Sequence, residues 1–291
     1  MQDIIVIIGP TGVGKTKLSI ELAKKLDAEI INGDSVAVYK ELNIGSAKPT
    51  STEREGIPHH LIDIRSVTED YSVFDYQKDV REKIKEITSR NKRVIIVGGT
   101  GLYIKAALYD YKFSKEKTSN EYSELTNDEI VEKINSYGEI EIPDKQNRRR
   151  LVRLLNKLEN NSEITNNKDK LLYPIKVIGL TTARDILYER INQRVDTMLT
   201  SGLLEEVQAL KDFYPKSRIL NSGIGYKEFA PYFTNNSSLE EVISNIKIDS
   251  RHYAKRQYTF FRHQFSTTWF EVNFEDFTET ISNVYKFITK K

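Results

Sequence analysis

The chain has 291 residues, of which 38% are hydrophobic and 30% charged, and its formal net charge is +2. This balance predicts a globular protein with one large domain or a core domain with an insertion, and the overall charge does not demand a nucleic-acid partner. The absence of cysteine excludes disulfides, thiol nucleophiles and thiolate metal sites. Since the apolar runs are too short to span a bilayer and the first residues do not resemble a signal peptide, we expect a cytoplasmic protein without membrane contact.

A glycine-rich loop follows the first predicted strand. Residues 3–9 (DIIVIIG) predict a buried strand, and residues 9–16 (GPTGVGKT) match the G-x-x-x-x-G-K-T pattern of a phosphate loop. Three leucines at helical spacing come next, so the loop joins a strand to a helix. In such a loop the backbone N–H groups, the helix N-terminus and the lysine hold a di- or triphosphate, and the final threonine can ligate Mg²⁺. The loop alone does not distinguish a nucleotide hydrolase from a kinase or from a protein that uses it for another substrate.

Two further predicted strands end in residues that can carry chemistry. Residues 28–35 predict a short strand that ends at Asp34, and residues 93–100 predict an apolar strand that ends in Gly-Gly and Thr100. A phosphate-loop hydrolase usually has an acidic residue at the end of such an apolar strand to order Mg²⁺ and water, and this strand has none. Asp34 is therefore the candidate metal partner or general base, and Thr100 is a candidate ligand contact. A turn-capping or helix-capping role is the alternative for both residues.

The elements between these strands are predicted to be helices. Residues 71–91 predict a helix with Phe74, Val80, Ile84 and Ile87 on one face. Strands that alternate with helices along the chain predict a parallel sheet covered by helices on both sides.

The sequence changes in character between residues 113 and 172. Polar, loop-like segments separate shorter stretches with helical periodicity, and residues 173–180 (YPIKVIGL) return to strand character. We therefore expect an α/β fold in which residues 1–112 and 173–291 form a parallel sheet covered by helices, similar to a phosphate-loop NTPase. Residues 113–172 are expected to form a smaller, all-helical insertion domain.

Two segments are strongly basic although the whole chain is nearly neutral. Residues 145–157 (KQNRRRLVRLLNK) contain four arginines and two lysines, and residues 251–265 (RHYAKRQYTFFRHQF) mix basic with aromatic residues. Basic side chains can contact RNA phosphates and aromatic rings can stack on bases, so both segments are candidate RNA-binding surfaces. The alternative for the second segment is an amphipathic helix whose aromatic residues, among them Phe260 and Phe261, belong to the core.

Taken together, these motifs resemble a known family. Its order of motifs is matched by residues 9–16, 31–49 (INGDSVAVYKELNIGSAKP), 56–64 (GIPHHLIDI), 97–103 (VGGTGLY), 222–228 (SGIGYKE) and 254–262 (AKRQYTFFR), over roughly the whole chain. The family is that of the bacterial tRNA dimethylallyltransferases, or IPP transferases. The resemblance implies transfer of a dimethylallyl group from dimethylallyl diphosphate to N6 of adenosine 37, next to the tRNA anticodon. The products would be N6-dimethylallyladenosine and diphosphate.

The resemblance also implies roles for residues near the loop. Asp34 would be the general base that takes a proton from the adenine amine, and Thr100 would help to hold the reacting adenosine. Mg²⁺ would bridge the diphosphate and Thr16. Arg190 and Arg194 are plausible extra diphosphate contacts, with a solvated helix face as the alternative. The diphosphate would be bound by Gly9, Pro10, Thr11, Gly12, Val13, Gly14, Lys15 and Thr16, with residues 11–16 closest.

Matching segments imply the tRNA contacts. They fall in three stretches besides the one that begins at Asp34, and two of these are the basic segments. The residues are Asp34, Ser35, Val36, Ala37, Thr100, Arg149, Arg150, Leu151, Val152, Arg153, Gly223, Gly225, Tyr226, Lys227, Lys255, Arg256, Gln257, Thr259 and Arg262. We expect tRNA and dimethylallyl diphosphate as the binding partners, and a monomer without an obligate protein partner.

Three other functions share part of the sequence pattern. An enzyme that prenylates free adenine nucleotides would use the loop, Asp34 and Thr100 but would not need the basic C-terminal half. An ATP-dependent small-molecule kinase would use the loop and leaves residues 254–262 unexplained. A non-catalytic RNA-binding regulator would keep the basic surfaces but has no need of a positioned carboxylate.

Overall fold

A computed structural model describes residues 2–113, 122, 124–142, 144–159 and 170–290. Its strands form one six-stranded sheet in which every neighbouring pair is parallel, in the order β3-β2-β4-β1-β5-β6. The strands are β1 (Ile4–Ile8), β2 (Ala28–Asn32), β3 (His59–His60), β4 (Arg93–Val97), β5 (Ile175–Thr181) and β6 (Thr268–Glu271). The predicted parallel sheet is thus confirmed.

Helices connect the strands and cover the sheet. They are α1 (Lys15–Leu26), α2 (Val73–Ser89), α3 (Gly101–Leu108), α4 (Asn127–Asn135), α5 (Arg148–Glu159), α6 (Arg184–Thr200), α7 (Leu203–Ala209), α8 (Ala230–Phe233), α9 (Leu239–Gln264) and α10 (Phe277–Thr289). Short 3-10 turns occur at Lys211–Phe213 and Lys227–Phe229. Among the described residues, no helix is long and apolar enough to cross a membrane.

The central strand β1 shows why the sheet has two covered faces. All five of its residues are buried. Ile4, Val6 and Ile8 belong to the hydrophobic cluster on one face, whereas Ile5 and Ile7 belong to the cluster on the other. Because side chains alternate along a strand, a continuous apolar run is what a parallel strand needs when helices pack on both sides.

The structure corrects one residue of the predicted α2 face. Val80, Ile84 and Ile87 are fully buried, but Phe74 is 54% exposed. At 100° per residue, the position one turn before Val80 is Tyr76, and Tyr76 fills the core there. Phe74 lies in the first turn of the helix, next to the residue that caps it, Ser72.

Both strands with candidate site residues are shorter than predicted. β2 ends at Asn32 rather than at Asp34, and β4 ends at Val97 rather than at Thr100. The regular pairing of β2 with β4 ends with the hydrogen bond from the N–H of Gly33 to the carbonyl of Val97 (2.7 Å). Asp34 and Thr100 therefore lie on the loops that leave the carboxyl ends of two adjacent strands, where α/β proteins commonly bind ligands.

The chain divides into two compact units, one formed by Met1–Tyr109 with Leu171–Lys291 and the other by Asp110–Lys170. In the first unit, Leu171 pairs with Tyr109 in an antiparallel bridge, and the N–H of Leu172 donates to the carbonyl of Leu108 (3.0 Å). This pairing joins the two chain ends that flank the second unit.

The second unit packs α4 against α5. Its core is formed by Tyr122, Ile130, Val131, Ile134, Leu151 and Leu155. The Arg148 guanidinium donates to the carbonyls of Tyr122 and Leu125, which ties the start of α5 to the segment before α4. In its described residues this unit contains helices and no strand. The predicted insertion also includes residues 114–121, 123, 143 and 160–169, which lie outside the described residues.

Candidate active site

The phosphate loop connects β1 to α1 in a conformation that glycine allows. Gly12 and Gly14 have φ values of +83° and +92°, in the left-handed region that other residues rarely adopt. A Cβ on Gly14 would lie 2.8 Å from the Phe277 ring. Within the described residues, the N–H groups of residues 12–16 donate to no protein acceptor. They form a row of unsatisfied donors at a helix N-terminus, which is an anion-binding arrangement.

Three hydrogen bonds hold the phosphate loop in place without using the N–H groups of residues 12–16. Lys15 Nζ donates to the carbonyl of Pro10 (2.7 Å), and Arg190 Nε donates to the carbonyl of Gly12 (3.0 Å). The N–H of Thr11 donates to Oε1 of Gln257 on α9 (3.0 Å). Because the Thr11 N–H already has a protein partner, it is not free to donate to a diphosphate. The expectation that Thr11 is among the closest diphosphate contacts therefore lacks the backbone donor on which it mainly depended.

Positive charge accumulates next to the loop. Burial, the charge of Arg194 and, with opposite sign, the charge of Asp34 act on Lys15, and together they lower its pKa to about 7. Burial likewise lowers the pKa of Arg194. Neither Arg194 nor Arg190 has a carboxylate within ion-pair distance among the described residues, and Arg190 stacks on the Phe274 ring (3.8 Å). A bound anion would therefore relieve an existing charge imbalance.

Asp34 is held firmly and keeps one carboxylate oxygen for other use. Its Oδ1 accepts from the N–H of Val36 (2.8 Å), while the Asn32 amide contacts both backbone groups of Asp34 (2.9 and 3.0 Å). Tyr76 in turn donates its hydroxyl to the carbonyl of Asn32 (2.9 Å). The turn-capping alternative for Asp34 is thus observed for one oxygen. Oδ2 faces Gly99 and accepts no hydrogen bond within the described residues.

Thr100 contacts the loop of Asp34 rather than capping its own helix. Its Oγ1 accepts from the N–H of Ser35 (3.0 Å) and lies 3.2 Å from Oγ of Ser35. Its N–H donates to the carbonyl of Gly33 (3.1 Å). Although Thr100 precedes α3, its side chain caps no N–H of that helix. The structure therefore brings Asp34 and Thr100 together, on two loops that are hydrogen-bonded to each other.

Close backbone packing sets this arrangement. A Cβ on Gly98 would lie 2.2 Å from the carbonyl carbon of Gly33, so no side chain fits between the two loops. The carbonyl of Gly99 accepts from Nε2 of Gln257 (3.0 Å) and from the hydroxyl of Tyr253 (3.2 Å). Burial raises the pKa of Tyr253 to about 12, which keeps its hydroxyl a donor at neutral pH. No motif in the sequence singles out Tyr253, although its spacing of four residues from Gln257 places both on one face of α9.

The predicted tRNA contacts fall into three groups by exposure, of which the half-buried one comprises Asp34, Ser35, Val36, Thr100, Val152 and Lys227. The exposed residues are Arg149, Arg150 and Arg153 on α5 and Lys255, Arg256, Thr259 and Arg262 on α9. The buried residues are Ala37, Leu151, Gly223, Gly225, Tyr226 and Gln257. A helix presents only part of its circumference to solvent, so a contiguous motif on α5 or α9 cannot expose every member. The side chains of Leu151, Tyr226 and Gln257 are packed within the protein, and the contact of the buried group with tRNA stays a prediction.

The role of Tyr226 is to join two sequence motifs. Its hydroxyl donates to Oε1 of Glu206 (2.8 Å) and accepts from the N–H of Ser46 (3.1 Å). The Glu206 carboxylate also accepts from the N–H groups of Asn43, Ile44 and Gly45 (2.9, 2.8 and 3.2 Å). The specific pattern of residues 44–49 and that of residues 222–228 therefore reflect contact between these segments. The nearby Lys227 pairs with Asp249 (2.6 Å).

A cavity of about 590 Å³ lies along the exposed side of α9. It is lined by His252, Lys255, Arg256, Thr259, Phe260, His263 and Gln264. Phe260 packs so closely on Gly101 that a Cβ there would lie 2.2 Å from the ring, so the cavity borders the residue after Thr100. The core alternative for the aromatic residues is observed for Phe261, which is fully buried, whereas Phe260 is half-buried.

Comparison with known proteins identifies the family of this chain. The family model described as IPP transferase matches residues 37–264, more than half of the sequence. The chain belongs to this family. The model begins after the phosphate loop, so the match rests on the motifs that follow it.

Individual relatives agree with the family model. A tRNA dimethylallyltransferase from Enterococcus faecalis is 47% identical over 94% of this chain and 92% of the relative. One from Bacillus cytotoxicus is 45% identical over 93% and 90%. Among solved structures, the tRNA isopentenylpyrophosphate transferase of Staphylococcus epidermidis is 36% identical, with a TM-score of 0.77 over 100% of this chain and 99% of the other. A eukaryotic dimethylallyltransferase acting on tRNA is 26% identical, with a TM-score of 0.81 over 100% and 80%.

Proposed function

We propose that this protein transfers a dimethylallyl group from dimethylallyl diphosphate to N6 of adenosine 37 of tRNA. The observation that carries the proposal is the pairing of a phosphate loop with a carboxylate that has one unoccupied oxygen. Asp34 and Thr100 lie on adjoining strand ends, and the end of β4 carries no carboxylate to activate a water. This arrangement suits a transfer in which the phosphates leave and are not themselves attacked.

The diphosphate would bind at the start of α1. The N–H groups of residues 12–16, Lys15 and the cations Arg190 and Arg194 would neutralise the charge that develops as the carbon–oxygen bond breaks. Thr16 is exposed in the first helical turn and fits a Mg²⁺ site, since Mg²⁺ usually keeps several waters and takes few protein ligands plus phosphate oxygens. When bound there, Mg²⁺ would supply further charge stabilisation to the leaving diphosphate.

The reaction would exchange one bond at C1 and transfer one proton to a protein group. The N6 lone pair of adenine forms a bond to C1 of the allyl group, while the C1–O bond breaks and its electron pair leaves with the diphosphate. Asp34 Oδ2 accepts the proton that N6 loses, which restores a neutral amine. Thr100 and Tyr253, which are hydrogen-bonded to Ser35 and Gly99, would orient the adenine beside Asp34.

The RNA would lie along the exposed side of α9. Its basic residues can contact phosphates, and the half-buried Phe260 offers a ring at the edge of the cavity next to Gly101. Arg256 and Arg262 are held over the rings of Tyr253 and Trp269 (both 5.7 Å). Rotating an adenosine out of an anticodon loop into the site would cost only about a few kcal/mol, because that base is not in a duplex.

The experiment offers each class of acceptor to the same protein. We expect prenylated adenosine from dimethylallyl diphosphate, Mg²⁺ and unmodified tRNA that reads codons beginning with U, and no product from free adenine nucleotides. Product on AMP, ADP or ATP but not on tRNA would favour the nucleotide prenyltransferase. Consumption of ATP with a small acceptor, without prenyl transfer, would favour the kinase. A chelator should abolish turnover, and added Mg²⁺ should restore it.

A further inference from the structure

The Gln257 side chain links the two halves of the candidate active site. Its Oε1 accepts from the N–H of Thr11 in the phosphate loop (3.0 Å), and its Nε2 donates to the carbonyl of Gly99 at the end of β4 (3.0 Å). The residue is only 4% exposed; its bond to Gly99 is buried and its bond to Thr11 is partly buried. A single amide therefore holds the diphosphate side and the adenosine side of the site.

The surrounding residues are shaped to admit this amide. A Cβ on Gly99 would lie 2.2 Å from Nε2 of Gln257, so the close approach requires glycine at this position. Gly99 immediately precedes Thr100, and Oδ2 of Asp34 lies 3.8 Å from the place where that Cβ would stand. The contact that fixes Thr11 thus reaches the two residues placed next to the acceptor base.

An allyl transfer depends on the separation of these two sides. The carbon that accepts the amine is attached to the diphosphate, whereas the amine is held next to Asp34 and Thr100. Displacement of reacting groups by about 1 Å can cost about 10²-fold in rate. A rigid amide with a donor at one end and an acceptor at the other can hold two backbone segments at a fixed distance.

We propose that Gln257 is a positioning residue that sets the distance between the phosphate loop and the Asp34–Thr100 pair, rather than a contact to the RNA. The inference rests on the proposed prenyl transfer and adds to it a structural device within the same site. The amide is nearly inaccessible to a tRNA group, because it is 4% exposed and each of its ends is bonded to a protein backbone group.

The variant Gln257→Glu gives the sharpest test, because it keeps the size of the side chain. An ionised carboxylate still accepts from Thr11 but faces the carbonyl of Gly99 with an acceptor, so one bond becomes a repulsion. A protonated carboxyl group regains one donor and one acceptor and can restore both bonds. We expect the single-turnover rate to fall by about tenfold or more at pH 8, with the tRNA Kd changed less than about threefold.

The pH dependence separates positioning from general loss of structure. The ratio of the variant's rate to the wild-type rate should rise as the pH falls from 8 towards 6, because the buried carboxyl group becomes protonated. Taking the ratio removes any pH dependence that the two proteins share. The matched control is Gln208→Glu, an exposed glutamine on α7, whose rate should stay at the wild-type value at every pH.

A second variant approaches the same contact from the other partner. Gly99→Ala should displace the Gln257 amide and slow the single-turnover step similarly, and Gly99→Ala with Gln257→Met should lose no more than the larger single loss. Rates within twofold of wild type for Gln257→Glu would overturn the proposal. So would a loss that is confined to tRNA affinity, or a rate ratio that does not change with pH. Absence of product from the wild-type protein would instead contradict the proposed function.

Discussion

The charged form of Lys15 is disfavoured while the site holds no anion. Burial and the neighbouring Arg194 lower its pKa to about 7, so the free protein carries it partly neutral at physiological pH. A bound diphosphate favours the charged ammonium and must raise this pKa. Binding is then coupled to uptake of a proton, so the affinity should decrease as the pH rises above 7.

We expect the Kd for dimethylallyl diphosphate to increase between pH 7.5 and 9, by up to about tenfold per pH unit while binding takes up a full proton. The ligand's own ionisation is nearly complete in this range, since phosphate monoesters have a second pKa of about 6. Calorimetry in buffers of different ionisation enthalpy measures both the Kd and the proton uptake. In Lys15→Arg the charge is permanent, and the affinity should vary little with pH. An equally steep dependence in that variant would show that Lys15 is not the titrating group.

Asp34 can be tested by a change that preserves its local contacts. In Asp34→Asn the side-chain oxygen can still accept from the N–H of Val36, but the amide cannot take a proton from N6. We expect the rate of prenyl transfer to fall by about 10²- to 10⁴-fold, as for the loss of a general base, with tRNA affinity largely kept. Product analysis by mass spectrometry and a tRNA binding titration measure the two quantities. Asp212→Asn, which alters an exposed carboxylate, should behave as wild type; normal turnover in Asp34→Asn would exclude the general-base role.

At the scale of elements, α7 stabilises the loop that follows β2. The Glu206 carboxylate accepts hydrogen bonds from the N–H groups of residues 43–45 and from the Tyr226 hydroxyl. Such a ring of donors is how a loop binds an anion. The same segment is fixed from its other side by Lys48, which donates to the carbonyl of Tyr39 (2.7 Å) and pairs with Asp63 (2.5 Å). These contacts hold the chain from Asp34 onwards without any ligand.

Glu206→Leu should destabilise the protein by about 2 kcal/mol, because several donors lose their acceptor and only some can turn to water. Urea unfolding monitored by circular dichroism measures this change in the free energy of unfolding. Glu205→Leu removes the neighbouring exposed carboxylate and should change stability by no more than about 0.5 kcal/mol. Similar losses in both variants would mean that the donors of residues 43–45 need no carboxylate.

The sequence predicts the parts of this fold that have strong local patterns. The all-apolar β1, the apolar run of β4 after Arg93, the glycine-rich loop and the helical spacing in α1 are visible without any structure, because burial on both sheet faces favours continuous apolar runs. β3 has only two residues and β6 only four, too few for a period to be recognised. The sequence motif places Gln257 among the predicted RNA contacts. No local pattern reveals that α9 turns this residue towards the phosphate loop, 246 positions away.

The candidate site was predictable to a similar degree and for related reasons. Asp34 and Thr100 follow recognisable strands, and carboxyl ends of adjacent parallel strands meet at one edge of a sheet. The cations Arg190 and Arg194 left two interpretations open, and burial beside the loop now favours the anion contact. The burial of Tyr226 and Leu151 could not be predicted, because a motif defines which residues belong together and not which of them are buried.

At the scale of the whole molecule, the division into two units can be tested by deleting the second unit. Replacing residues 110–170 by a short Gly-Ser linker should leave the first unit folded, since Tyr109 and Leu171 are paired within it. We expect dimethylallyl diphosphate binding to remain, while tRNA binding weakens and the slope of log K against log salt becomes shallower by about 2 to 3. That is the change expected when the three exposed arginines of α5 each neutralise one phosphate.

The full-length protein provides the matched control for this deletion. Substituting Arg149, Arg150 and Arg153 together by Gln should reproduce the change in slope while leaving α5 folded, because these side chains are exposed. Binding titrations at several salt concentrations measure both proteins. A deletion that lowers the slope while the triple substitution does not would assign the RNA contact to other residues of the second unit.

The glycine contact between the loops of Asp34 and Thr100 has a consequence for protein engineering. Because Gly98 lies against Gly33 with no side chain between them, the two loops meet backbone to backbone. The side chains of Asn32 and Thr100 add hydrogen bonds that hold Asp34 and Ser35 in this arrangement. The walls proposed to contact the prenyl chain or the RNA are therefore better targets for redesign than Gly33 and Gly98, since changing either glycine would separate the loops that carry Asp34 and Thr100.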